Sequence, residues 1–137
     1  MTLKLQLVQD GEVIFEIPLS PSDWPKEQLK EELDSIEEDF DRFSRIFNAM
    51  SNETRLRMMK NLIQKEDQTM NFADFMHELE LNPKLVWENA RRLTEGGLLT
   101  KTGRGKYSCS EFGQRTFMIM SLALRRLIET LEELEKI

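Results

Sequence analysis

Side chains able to ligate a soft metal or act as a nucleophile are few: the 137-residue chain has one histidine, His77, and one cysteine, Cys109, 32 positions apart. Carboxylates are abundant, but they stand in runs such as EELDSIEEDFD (31–41), the pattern of a solvated helix face. No Gly-rich phosphate loop and no nucleophile-base pairing is visible, so neither catalysis nor a cofactor is expected. A different chemistry is concentrated in residues 81–106, where Lys84, Arg91, Arg92, Lys101, Arg104 and Lys106 face only Glu88 and Glu95. Cations clustered against a formal net charge of -6 form a local positive field suited to phosphate.

That charge is unevenly divided. Residues 1–45 hold 5 Lys/Arg against 12 Asp/Glu, 46–110 hold 10 against 8, and 111–137 hold 4 against 5. Hydrophobic residues make up 39% and charged residues 32%, with six glycines, the composition of a helix-rich globular protein. The length suits one ordinary domain, or a small one with helical arms. No apolar run approaches a membrane span and the start MTLKLQLVQDGE lacks signal-peptide form, so a cytoplasmic protein is expected. A single cysteine fits a reducing compartment.

The elements that must position the cations can be read in chain order. Leu3, Leu5 and Leu7 alternate with polar residues, Asp10-Gly11 supplies a turn, and Val13, Phe15 and Ile17 resume the alternation. This predicts a β-hairpin over 1–20 with a type I′ turn. A serine after it is expected to cap the next helix. Over 21–50 the apolar positions Leu29, Leu33, Ile36, Phe40, Phe43, Phe47 and Met50 are spaced in alternating fours and threes, which predicts one long amphipathic helix. Phe117, Met120, Leu124, Leu127, Leu131 and Leu134 predict a second within 111–137. The stripes exceed what a small middle domain can cover, so both helices are expected to form a dimer interface.

The middle, 51–110, reads as short helices: Ser51 as a cap, Arg55 to Ile63 with Leu56, Met59 and Ile63 inward, then Asn71 to Leu79 with Phe72, Phe75, Met76 and Leu79 inward. A third runs from Pro83 to Glu95, closed by Gly96-Gly97. Two strands around Gly103-Arg104-Gly105 follow. Helix, turn, helix and hairpin is the grammar of a winged helix-turn-helix. The expected fold class is therefore mainly α with small β: a winged helix-turn-helix core, an N-terminal hairpin and two long dimerisation helices.

Three phrases in this order, SNETRLRMMKNL, FADFMHELELNPKLVWENARRLTEGGLL and KTGRGKYSCSEFGQRTF, resemble ArsR-type winged-helix regulators over about residues 46–117. The resemblance implies a dimeric prokaryotic transcriptional regulator, archaeal in style, with recognition helix 83–95 in the major groove and wing 100–108 on the backbone or minor groove. It departs from the metal-sensing members, which carry paired cysteines on the helix matching Phe72 to Leu79, or His and Asp clusters on the terminal helix. Neither set is present, so no metal site is expected.

On a helical wheel Val86, Ala90 and Leu93 fall on the buried side of the third helix. Lys84, Leu85, Trp87, Glu88 and Arg91 are then the expected groove readers, with Arg92 beside them and Lys101, Arg104 and Lys106 on the wing. Glu88 could accept from cytosine N4 or pair with Arg91 or Arg92. Trp87 could meet a thymine methyl, or tuck against the wing. Arg55 and Arg57 are expected to stabilise their helix and its neighbours, and Arg57 alone of the two is also a candidate for a phosphate contact. The competing function is a winged-helix adaptor that binds another protein, through Trp87 and the acidic N-terminal region, instead of DNA.

Overall fold

The computed structural model describes residues 2–136, which divide into two compact units, one ending at Phe40 and one beginning at Asp41. In the first, β1 (Lys4–Gln9) and β2 (Glu12–Pro18) pair antiparallel, with Leu5 opposite Ile17 and Leu7 opposite Phe15. Asp10 and Gly11 have φ of 51° and 82°, the positive backbone angles that the type I′ turn demands. A 3₁₀ turn at Pro21–Asp23 leads to α1 (Lys26–Glu38). No serine caps α1: Pro25 holds the cap position without a side-chain bond. The Trp24 indole N–H instead fastens this corner by donating to the Pro18 carbonyl at 2.8 Å.

The single helix expected over 21–50 is two helices. α1 stops at Glu38, the Asp39 N–H bonds back to the Ile36 carbonyl, and α2 (Phe40–Met50) begins immediately afterwards. Glu37, Glu38 and Asp39 crowd negative charge onto the negative end of the helix dipole, with no basic residue in the last turn to offset it. The apolar stripe runs through the break, which is why spacing alone conceals it.

In the second unit α3 (Glu53–Gln64) is capped by Asn52, one position later than expected, whose side chain accepts from the Thr54 and Arg55 N–H groups. Ser51 turns the other way and donates to the Asn48 carbonyl at the end of α2. β3 (Thr69–Asn71), α4 (Phe72–Leu79), α5 (Pro83–Glu95), β4 (Leu99–Gly103) and β5 (Lys106–Cys109) follow. The sheet order is β3-β5-β4, antiparallel throughout. Helix, strand, two helices and a hairpin in this arrangement is a winged helix-turn-helix; β3 is the strand that sequence pattern missed.

The core gathers Met58, Met59 and Leu62 from α3, Phe75 from α4, Val86, Ala90 and Leu93 from α5, and Met70, Leu98 and Tyr107 from the sheet and its approach. Ala49 and Met50 close it from α2. On α3 the fully buried positions are Met58, Met59 and Leu62, whereas Leu56 and Ile63 are half-buried at its margin. Phe72, Met76 and Leu79 likewise pack against the core without being sealed in it. Cys109 is buried there, and burial pushes its thiol up to about 11. We predict that a thiol-reactive dye at pH 8 labels the folded chain at least tenfold more slowly than the unfolded chain, because thiolate is the reactive form; equal rates would contradict this placement.

The terminal helix is also less regular than its stripe. α6 (Glu111–Met118) and α7 (Leu124–Glu135) are joined by a π-helical turn, Ile119–Ala123. There the Ser121 hydroxyl donates to the Phe117 carbonyl, competing with the regular ladder. Phe117 and Met120 pack against the core of their own unit, so these two expected interface residues are already occupied within the chain. Leu124, Leu131 and Leu134 stay exposed and Leu127 half-buried.

Candidate nucleic-acid interface

α5 is set by its ends. Asn82 accepts from the Leu85 N–H at 2.9 Å, Pro83 fills the first turn, and Gly97, at φ 80°, turns the chain out after Gly96. α4 ends on Glu80 in the left-handed conformation, with the Leu81 N–H bonded to the Met76 carbonyl. The turn between the two helices is therefore closed by backbone bonds. Val86, Ala90 and Leu93 are fully buried as the wheel requires, and Lys84, Leu85, Trp87, Arg91 and Arg92 are exposed.

Sequence pattern missed Asn89 on the inner side, only 7% exposed. Its amide donates to the Leu85 carbonyl at 2.8 Å and accepts from Arg55 at 2.9 Å. The same guanidinium donates to the carbonyls of Ala49 at 3.0 Å and Asn48 at 2.8 Å. Arg55 therefore clamps the end of α2 to α5, and it is held below its ordinary pKa by burial and then by the like charge of Arg92. Arg57 pairs with Glu53 at 2.6 Å on the exposed side of α3.

The outer face of α5 differs from expectation in its pairing. Arg91 and Arg92 reach forward to Glu95, at 3.2 and 3.7 Å, and not back to Glu88. The Arg91 guanidinium also lies over the Trp87 ring, 5.2 Å from its centre, a cation–π contact that holds it in place. Trp87 does not tuck away: it is 56% exposed. With Arg91, Thr94, Glu95, Lys101 and Tyr107 it lines a recess of about 270 Å³, which brings α5 and the wing strand β4 together.

A second, polar recess of about 380 Å³ lies along the other flank of α5. Asn52, Thr54 and Arg55 from the start of α3 line it with Leu85, Glu88, Asn89, Arg91 and Arg92. Two exposed guanidiniums beside the N-terminal turn of a helix provide N–H donors and positive charge suited to an oxyanion such as a backbone phosphate. Asn52 and Thr54 were not expected in the site, although the SNET cap pattern carries the signal.

On the wing, Lys101, Arg104 and Lys106 are all exposed. Arg104 is at the tip and Gly105 takes the positive φ of 67° that closes the turn. The Gly105 carbonyl accepts from the Phe72 N–H at 2.7 Å, so the tip is tied to the start of α4. Asn71 and Asp74 complete a reciprocal capping box at that point. Among the described residues no group of three or more His, Cys, Asp or Glu side chains is placed to hold a metal ion, and no helix is long and apolar enough to cross a membrane.

No protein-family model matches the chain, and no curated protein matches it. Among solved structures, that of a MarR family transcriptional regulator from Streptomyces coelicolor is similar over 74% of this chain and 91% of that chain, at 13% sequence identity and a TM-score of 0.45.

Proposed function

We propose that the chain is a cytoplasmic, sequence-specific double-stranded DNA-binding transcriptional regulator that acts as a homodimer, with α5 in the major groove and the wing on the backbone or minor groove. The observation that carries this reading is the recess shared by Trp87, Arg91 and Lys101, which joins an exposed helix face to a cationic hairpin. In helix-turn-helix docking the first part of the second helix meets base edges, which assigns that role to Lys84, Leu85, Trp87 and Glu88. Arg91 reads with them, and Arg92 and the wing cations Lys101, Arg104 and Lys106 neutralise phosphates. A two-fold dimer would present two copies of α5 to a roughly palindromic site, with Leu124, Leu127, Leu131 and Leu134 of α7, and Leu29, Leu33, Ile36, Phe40 and Phe43 before the core, supplying apolar contact. The ArsR-type kinship belongs to this proposal and rests on the three sequence phrases.

One observation favours a second reading. Trp87 and Leu85 stand exposed together on α5, and Glu95 already engages both neighbouring arginines, as a protein-docking face would allow. Titration of fluorescent duplex DNA between 50 and 200 mM salt separates the two. A regulator neutralising about six phosphates loses roughly a thousandfold in affinity over that range, whereas an adaptor shows no binding at either end. We predict that Arg104→Ala weakens binding about equally on all sequences and lowers the salt slope by about one, and that Arg91→Ala costs about 1–3 kcal/mol. If both variants bind like the parent, the groove assignment is wrong.

A further inference from the structure

Trp87, Arg91 and Glu95 stand four positions apart along one row of α5, the spacing at which helical side chains meet. The Arg91 guanidinium lies between the other two. Its Nη1 donates to Glu95 Oε1 at 3.2 Å, and it lies over the Trp87 ring with Cζ 5.2 Å from the ring centre. Both contacts are exposed to water, so neither adds much stability. What they do is limit where the fork can point. Long helical side chains lean toward the N-terminus, and the Trp87 contact holds Arg91 in that lean, toward the part of α5 that meets base edges in helix-turn-helix docking.

The contacts also decide which edge of the fork is free. Among the described residues Nε and Nη2 of Arg91 have no hydrogen-bond partner. Two adjacent donors of this kind fit either a phosphate or the O6 and N7 acceptors of guanine. Charge separates the two. A phosphate on that edge would bring its negative charge beside the Glu95 carboxylate, which already neutralises the guanidinium. The guanine edge is uncharged and meets no such repulsion. Arg92 is less committed, 3.7 Å from the other Glu95 oxygen, and with Arg55 it keeps the polar recess on the opposite flank cationic.

We propose that Arg91 reads a guanine in the major groove, and that Glu95 is a positioning residue that orients the fork and turns it away from phosphate. The inference rests on the DNA-binding reading above and deepens it, because it names the base that α5 selects and a residue outside the contact surface that sets the selectivity.

Duplexes enriched by the full chain from a random-sequence pool supply the probe. Each guanine of the enriched sequence is replaced in turn by 7-deazaguanine, which lacks the N7 acceptor. We expect one guanine whose replacement weakens the parent roughly fivefold or more and weakens Arg91→Ala less than about twofold, since that variant has already lost the contact. Glu95→Gln is expected to bind an unrelated duplex about fivefold more tightly at about 50 mM salt, with a salt slope steeper by about one. In the Arg91→Ala background the same substitution should gain less than about twofold. A merely structural Glu95 would change the melting temperature and leave that slope alone. If no guanine is enriched, if the 7-deazaguanine pattern is the same with and without Arg91, or if Glu95→Gln gains nothing or gains as much without Arg91, the inference is overturned while DNA binding stands. A parent that binds no duplex at any salt concentration overturns both.

Discussion

Gly113→Ala is expected to destabilise the second unit by about 3 kcal/mol or more, as overpacking against a rigid neighbour does, and to lower its melting temperature by roughly 10–20 °C. The sign is the informative part. In an exposed helix interior the same exchange would stabilise by about 1 kcal/mol through helix propensity. Here a β-carbon would lie 2.1 Å from the Leu98 carbonyl oxygen and 2.9 Å from the carbon that bears it. These are backbone atoms of the strand approach, and α6 rests directly on them. The Ser110 hydroxyl accepts from the Gly113 N–H at 2.8 Å and donates to the Gly97 carbonyl at 3.0 Å, so the contact is locked from both sides. Thermal unfolding by circular dichroism checks the prediction; a variant melting at or above the parent temperature would show that α6 stands off from Leu98.

Arg55→Ala is expected to cost about 2–3 kcal/mol, the range for losing charge-assisted bonds that leave partners unsatisfied. The buried Asn89 oxygen and the Ala49 carbonyl would lose this donor, and the Asn48 carbonyl would be left with Ser51. Arg55→Lys should recover less than half of this, because one ammonium cannot serve three acceptors arranged around a planar fork. Asn89→Ala combined with Arg55→Ala should fall short of the sum of the single effects by about 1 kcal/mol or more, the coupling expected of groups in contact. Urea unfolding of the four proteins measures this cycle, and strict additivity would show that the clamp carries no energy.

How legible the fold was depended on whether a signal is local. Asp10-Gly11 dictates its own backbone angles, and Asn82-Pro83 with Gly96-Gly97 bracket α5 to the residue. The exposed cations of α5 and the wing followed from helical phase and a Gly-rich turn. β3 escaped because three residues have no periodicity to detect, and it exists only through pairing with β5. The break at Asp39 escaped because the apolar spacing continues across it, and the π turn because Ser121 looks like any polar residue between stripe positions. The Arg55–Asn89 bond joins residues 34 positions apart, a contact that only the tertiary structure creates. Glu95, by contrast, lies three and four places beyond the two arginines it engages, so helix spacing alone would have named it as readily as Glu88.

The tie between Gly105 and Phe72, together with the β3–β5 ladder, has a mechanical meaning. Hairpin tip and helix pair share one continuous backbone lattice, since the ladder fixes Asn71 opposite Lys106 and the same asparagine starts α4. Two prongs cast from a single frame behave like a gauge of preset opening: side chains can adjust at their surfaces, but the gap between them is not theirs to set. If α5 and the wing grip duplex DNA as proposed, a groove too wide for that opening has to narrow itself, whatever letters it carries.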